Sequence, residues 1–290
     1  VPHLSPEQKQ QVLGKSPTAA QKIDDPLNRV KLLAELIPHL LPAQRQEALD
    51  EALASARSVN LSYDRVKALA VLIPHLSPKQ KQQVLNEALT AARDVHQSCD
   101  RAKALAALIP YLSPEQLGEA LAIARNIDDS LARAEALAAL APHLSAEQLG
   151  EAIAIARNID DSLARAEALT ALVPYLSAEQ KQPVLNMAIT AAQEISNSSN
   201  RTGSLVALVP HLSLERKREV LGEALSAARE IDWSFARAEI LTILAPHLLL
   251  EQLGEALTVA QGIEDLSDRA RVLAALAPQA QHLSMAGLYS

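Results

Sequence analysis

Aromatic residues are nearly missing from this sequence: one Phe, one Trp and four Tyr, 2% of 290 residues. Deep cores and enclosed pockets lean on aromatic rings for buried area, so burial here falls to alanine and leucine, which suits thin, repeated helix–helix contacts. Cysteine is scarce too. The single Cys99 excludes an intramolecular disulfide and fits a reducing cytoplasm, the location expected here. There is no excess of positive charge: 27 Lys and Arg stand against 34 Asp and Glu, for a net −7. A general nucleic-acid binder normally shows a basic stripe, so nucleic acid is not an expected partner. No apolar run approaches the ~18 residues of a membrane span, so no membrane partner is expected either. Also missing are a Gly-rich phosphate loop, an HExxH, a CxxC and a nucleophile elbow. The expectation is a chain that is not an enzyme, with no catalytic, cofactor-binding or metal-binding residues and no cofactor.

What the sequence does have is one sentence written many times. "RAEALAALAPHLSAEQ" at Arg133–Gln148 returns as "RAEALTALVPYLSAEQ" at Arg165–Gln180. Its anchor, Pro followed by His or Tyr and Leu, stands at Pro2, Pro38, Pro74, Pro110, Pro142, Pro174, Pro210 and Pro246, and in degraded form at Pro278. Successive anchors lie 36 or 32 residues apart. Such a period means one supersecondary unit per repeat, each stacked on its neighbours. Nine residues before each proline from Pro38 onward stands an arginine: Arg29, Arg65, Arg101, Arg133, Arg165, Arg201, Arg237 and Arg269. Leucine follows each arginine by four residues and again by seven, from Leu33 and Leu36 to Leu273 and Leu276. At about 100° per residue these offsets share one stripe of an α-helix. This helix B is expected near Ser130–Ala141 in the fourth repeat, with an Asp or Ser N-cap before it and the proline ending it.

Helix A follows each anchor. In "SPEQLGEALAIAR" Ser113 reads as N-cap, Pro114 as the first helical residue and Gln116 as the partner in a capping box. Gly118 aligns with Gly14, Asp50, Asn86, Gly150, Asn186, Gly222 and Gly254. A glycine inside a helix is costly, so the column predicts close approach of a neighbouring backbone. The two repeat lengths differ by four residues equivalent to Lys81–Val84, about one helical turn. Helix A should therefore be one turn longer in repeats two, three and seven than in four, five and eight. Pro17 and Pro183 fall inside helix A, and Pro183 should delay or kink the helix of repeat six. The expected fold is all-α, an open right-handed α-α superhelix or solenoid of about eight helix pairs. The repeats span approximately 5–40, 41–76, 77–112, 113–144, 145–176, 177–212, 213–248 and 249–280 of a single array over 1–290, with a tail at 281–290. "VPHLS" at the start matches the end of a repeat, so the chain reads as a piece of a longer protein.

These helix–turn–helix units resemble tetratricopeptide and HEAT repeats. Leu117-Gly118 followed by Pro142 is similar to the Leu-Gly and final Pro of the tetratricopeptide repeat, whose aromatic positions are missing here; Leu137 stands where that family prefers Ala. The phrase "RAEALAALAPHL" resembles the α-helical arrays that accompany bacterial signalling ATPases of the NACHT and NB-ARC type. That resemblance implies a recognition or sensor arm of a bacterial signalling protein, with a protein or peptide partner or the parent's own ATPase module.

The eight arginines have two readings. They form a ladder for a polyanion, or they pack in the interhelix seam and reach carbonyls or carboxylates such as Asp64, Asp100 or Asp268; the acidic balance favours the second. Six histidines share one column, His3, His39, His75, His143, His211 and His247, with Tyr111 and Tyr175 in the same place. Repeat spacing of ~10 Å is too wide for a shared metal, and the expected role is a flat ring capping the last carbonyls of helix B. Cys99 and Phe235 align with Leu131 and Leu163 in a column expected to face the core. Trp233, in a turn, and the basic run Arg216, Lys217 and Arg218 are candidate partner-binding residues. "IARNIDDSLARAEAL" recurs verbatim at Ile155–Leu169, so specificity is expected outside residues 113–176. The leading expectation is a non-enzymatic protein- or peptide-binding scaffold. A designed or purely structural spacer and an anion-binding arginine array are the alternatives.

Overall fold

A computed structural model describes residues 20–286, with side chains described to residue 279. Pro2, His3, Gly14 and Pro17 lie outside the described residues, as does the end of the tail. The chain is an all-α helical repeat solenoid, and among the described residues there is no strand. Its contacts divide it into two compact units, Val1–Ser145 and Ala146–Ser290.

In the first unit helices B are α1 (Pro26–Leu36), α3 (Ser62–Leu72), α5 (Ser98–Leu108) and α7 (Ser130–Leu140), and helices A are α2 (Pro42–Arg57), α4 (Pro78–Arg93) and α6 (Pro114–Arg125). In the second, helices A are α8 (Ala146–Arg157), α10 (Ala178–Gln193), α12 (Leu214–Arg229) and α14 (Leu253–Gln261), and helices B are α9 (Ser162–Leu172), α11 (Ser198–Leu208), α13 (Ser234–Leu244) and α15 (Leu266–Ala286). Within each unit helix B packs on its own helix A wherever that helix is described, and on both helices of the next repeat wherever one follows in the unit. The leucine stripe makes that seam: Leu33, Leu105, Leu137, Leu169 and Leu241 are fully buried. Leu273, on the last described helix, is the exposed exception.

The repeat proline ends helix B, as expected, from Pro38 through to Pro246. Helix B stops two residues earlier, and a single 3₁₀ turn such as Ala141–His143 carries the chain across the proline. Proline fits there because the first N–H groups of a helix have no partner to lose. At Pro278 the anchor has lost its ring residue and leucine, and good helix formers follow. Helix α15 accordingly runs on to Ala286, where a stop and a tail were expected.

Helix A has 16 residues in repeats two, three, six and seven and 12 in repeats four and five. In repeat eight, a 3₁₀ turn of three residues leads into nine of α-helix. The capping box of Ser113 and Gln116 is present, with the hydroxyl 3.3 Å from the Gln116 N–H. Pro183 neither delays nor shortens α10, which starts at Ala178 like its relatives. The proline is exposed, so the Glu179 carbonyl that loses an N–H partner is left beside solvent. The glycine column also departs from expectation. A Cβ at Gly150 or Gly254 would meet nothing within 4 Å, and at Gly222 only the side-chain nitrogen of Gln252, 4.0 Å away. No backbone approaches there; the column lies at the surface, where Asn86 and Asn186 occupy it in the long repeats.

Candidate functional site

The arginine column is half-buried, and geometry gives all eight members the same first partner. Each guanidinium donates to the backbone carbonyl six residues earlier, in the turn between helices A and B: Arg29 to Ile23, Arg65 to Val59, Arg101 to Val95, Arg133 to Ile127, Arg165 to Ile159, Arg201 to Ile195, Arg237 to Ile231 and Arg269 to Ile263. The distances are 2.5–3.0 Å. The turn carbonyl has no helical partner, so a charged donor answers a need that each repeat recreates. A second hand reaches the C-cap of the next helix A. Arg101 donates to the Asn126 carbonyl at 2.7 Å and Arg237 to that of Gly262 at 2.9 Å, while Arg165 and Arg201 reach the carboxylates of Glu194 and Glu230. Arg29 pairs with Glu51 at 3.5 Å. Of the acids named from sequence, Asp268 takes Arg271 instead, and none of Asp64, Asp100 or Asp268 bonds a member of the column.

A second set of pairs escaped the sequence reading. The last residue of helix A donates to a glutamate in the middle of the next helix A: Arg57 to Glu87 at 2.9 Å, Arg93 to Glu119 at 2.7 Å, Gln193 to Glu223 at 2.8 Å and Arg229 to Glu255 at 3.4 Å. Its signal was present, an Arg and a Glu recurring at fixed repeat positions. For Glu87 burial is the largest single influence and pushes the carboxyl up. Hydrogen bonds from Arg57 and Gln83, with the Arg57 charge, outweigh it and hold the group below its usual range.

The ring column does not cap helix B. Among the described residues no imidazole hydrogen-bonds to a helix carbonyl. The carbonyl before the proline instead accepts from the backbone N–H three residues on, as with Leu40 and Ile37 at 3.3 Å. In two of the long repeats the ring neighbours the lysine of helix A's added turn. The Lys81 ammonium lies 5.4 Å from the Tyr111 centroid. Burial, then the Lys181 charge, lowers the His211 pKa. Among the described residues no group of three His, Cys, Asp or Glu could hold a metal ion.

The column of Cys99, Leu131 and Phe235 faces outward rather than into the core. Cys99 is exposed, Leu131 is 48% exposed and Phe235 56%. It lies two residues before the arginine, roughly 160° around the helix from it, and the arginine shares the buried stripe. Phe235 instead receives the Arg271 guanidinium, 5.2 Å from its centroid. Trp233 is 78% exposed. Of the basic run, Arg216 pairs with Glu219 and Arg218 with Glu251, so two of its three charges are already engaged.

Open grooves lie between neighbouring repeats, and two kinds of them recur, with an example of each in either unit. One is lined by Arg57, Arg65, Leu69 and Asp94 among others, and its counterpart by Gln193, Arg201, Leu205 and Glu230, with volumes of 400 and 500 Å³. The other borders the turns: Leu61, Tyr63, Asp94 and Asp100 in a 270 Å³ groove, and Asn197, Ser199, Glu230 and Ala236 with Trp233 in one of 370 Å³. Within each pair the counterparts lie 136 positions apart, as Arg57 and Gln193 do, which is the length of two long and two short repeats. These grooves thus occupy equivalent repeat positions with different residues in them.

No family model and no curated protein matches this chain. Among solved structures it is similar to the crystal structure of Ton1535 from Thermococcus onnurineus NA1, at 14% identity and a TM-score of 0.34, over 90% of this chain and 94% of that one.

Proposed function

We propose that the chain is a non-enzymatic scaffold that binds a protein or peptide, and that it serves as the recognition arm of a larger bacterial signalling protein in the cytoplasm. The observation that carries this reading is the pair of recurring grooves. Core columns are held by packing, whereas the groove positions change residue from one unit to the next, as Gln97 and Trp233 do. Stacked repeats of this kind suit recognition along an extended face. The side chains are also dispersed rather than convergent, which is why no reaction is assigned to them.

The anion-array alternative needs free guanidinium groups. Eight of them already donate to the chain's own carbonyls, and self-bonded donors leave little field for a polyanion. The scaffold reading is tested by selecting a displayed random-peptide library on the purified chain and measuring the recovered peptides by calorimetry against scrambled versions. Sequence-dependent, saturable binding is expected. Recovery of no peptide that outbinds its scramble would overturn the reading and favour a structural spacer. Heparin binding that survives physiological salt would favour the anion array.

A further inference from the structure

The turns from helix A to helix B carry the most exposed large apolar side chains among the described residues: Trp233 at 78%, Leu266 at 75% and Leu61 at 68%. Each is a single side chain rather than part of an apolar patch, but Trp233 and Leu61 each form a wall of a groove, where a partner could cover them. The remaining lining is acidic and polar. Asp232 stands beside Trp233, and Asp64, Asp94 and Asp100 stand beside Leu61. None of these four carboxylates has a side-chain hydrogen bond or ion pair among the described residues, although cations border both grooves: Lys67 lies 5.1 Å from the Tyr63 ring, and Arg201 bonds Ser198 and Glu230. Within the Trp233 groove Glu230 differs from them, because its carboxylate accepts from Arg201.

We propose that these two turn grooves, one in each unit, dock a segment of a partner protein in which a Lys or Arg lies next to a large apolar residue. The proposal rests on reading the chain as a binding scaffold and gives that reading a place and a partner chemistry. The apolar residue lies against the indole or leucine wall and removes it from water. The cation takes the unpaired carboxylates, and beside Trp233 it also gains the face of the ring. A net charge of −7 steers a basic segment toward the chain and repels an acidic one. A metal ion is a poor occupant, because among the described residues no suitable ligand group exists.

Trp233 is the chain's one tryptophan, so its fluorescence reports on one groove alone. The probe is a short, capped peptide of alternating Lys and Leu, with Glu–Leu and Lys–Ser peptides as controls. The Lys–Leu peptide should move the emission to shorter wavelength in a saturable way, and neither control should. Asp232→Lys, at an exposed position, should weaken the effect about tenfold without altering the far-UV circular dichroism. For the other groove, a labelled Lys–Leu peptide should retain binding to Trp233→Ala by anisotropy and lose it when Asp94→Lys is added. An unmoved emission, an equal response to Glu–Leu or Lys–Ser, or indifference to Asp232→Lys overturns the proposal. So does binding to Trp233→Ala that survives Asp94→Lys. Library peptides that bind tightly yet leave the emission unchanged also overturn it while leaving the scaffold reading intact, so the two can fail separately.

Discussion

In the third repeat helix A runs for 16 residues, α4, and in the fourth for 12, α6. The helix B before the long one, α3, lies mainly against α4, with a smaller contact to the next helix B, α5. Before the short one the balance reverses: α5 lies mainly against α7 and only lightly against α6. The second unit repeats the contrast, with α11 against the long α12 and α13 against α15 rather than the short α14. The added turn has three polar residues and one that is buried: Val84, and in other long repeats Ala48, Val184 and Val220, all at most 2% exposed. Burying a valine is worth about 1.5–3 kcal/mol, enough to draw the preceding helix toward helix A. Ala48 fills the place in repeat two with the same balance of contacts, so repeat length is a packing choice made by the added turn, to which a buried valine contributes where one is present.

The largest expected effect that sharpens the comparison concerns the arginine column. Arg101 reaches the C-cap carbonyl of a short helix A, and Arg201 reaches the exposed Glu230 carboxylate of a long one. Arg101→Ala strands two backbone carbonyls and should cost about 1–3 kcal/mol. Arg201→Ala strands one and frees an exposed carboxylate to water, so denaturant melts should show the smaller loss. Equal losses would remove the distinction. Next, Val84→Ala should cost about 1.5 kcal/mol through lost burial, and a loss within error would deny the valine its role. Gly150 sits inside α8 with open space where a Cβ would go, so Gly150→Ala should stabilise by about 0.5–1 kcal/mol. Destabilisation would restore the close approach the sequence had implied.

The smallest effect is electrostatic. The Glu87 pKa is lowered in the folded chain, so its share of stability is present above the unfolded carboxylate pKa and is lost as pH falls through the folded one. Arg57→Gln should raise that pKa, seen by NMR titration, and flatten this part of the acid dependence. Exposure keeps the change in stability below about 1 kcal/mol. A Glu87 pKa unmoved by the substitution would deny Arg57 its part.

The period, the columns and the four-residue length difference were legible in the sequence because every repeat tests the same pattern again. The outward column was not, although its angle was available. Leu131 and Phe235 look like core residues by type, and type was weighed above the angle that places them opposite the stripe. The partners of the arginines were harder. A carbonyl six residues back lies across a turn, and helical spacing says nothing of turn geometry, so nearby acids such as Asp64 and Asp100 stood in for it. The grooves needed coordinates, since each joins residues of two repeats. Their ingredients, Trp233 and the unpaired aspartates, were visible only as isolated letters.

The most direct test of the packing account is the crystal structure of a variant lacking Lys81–Val84. Its third repeat would then match the fourth in length. The account predicts that helix A of that repeat shortens to the 12 residues of α6, with the capping box of Ser77 and Gln80 retained, and that α3 moves its main contact from helix A to α5. A structure in which helix A recovers its 16 residues by recruiting the preceding turn, with α3 still seated mainly on it, would contradict the claim that this one turn decides the packing.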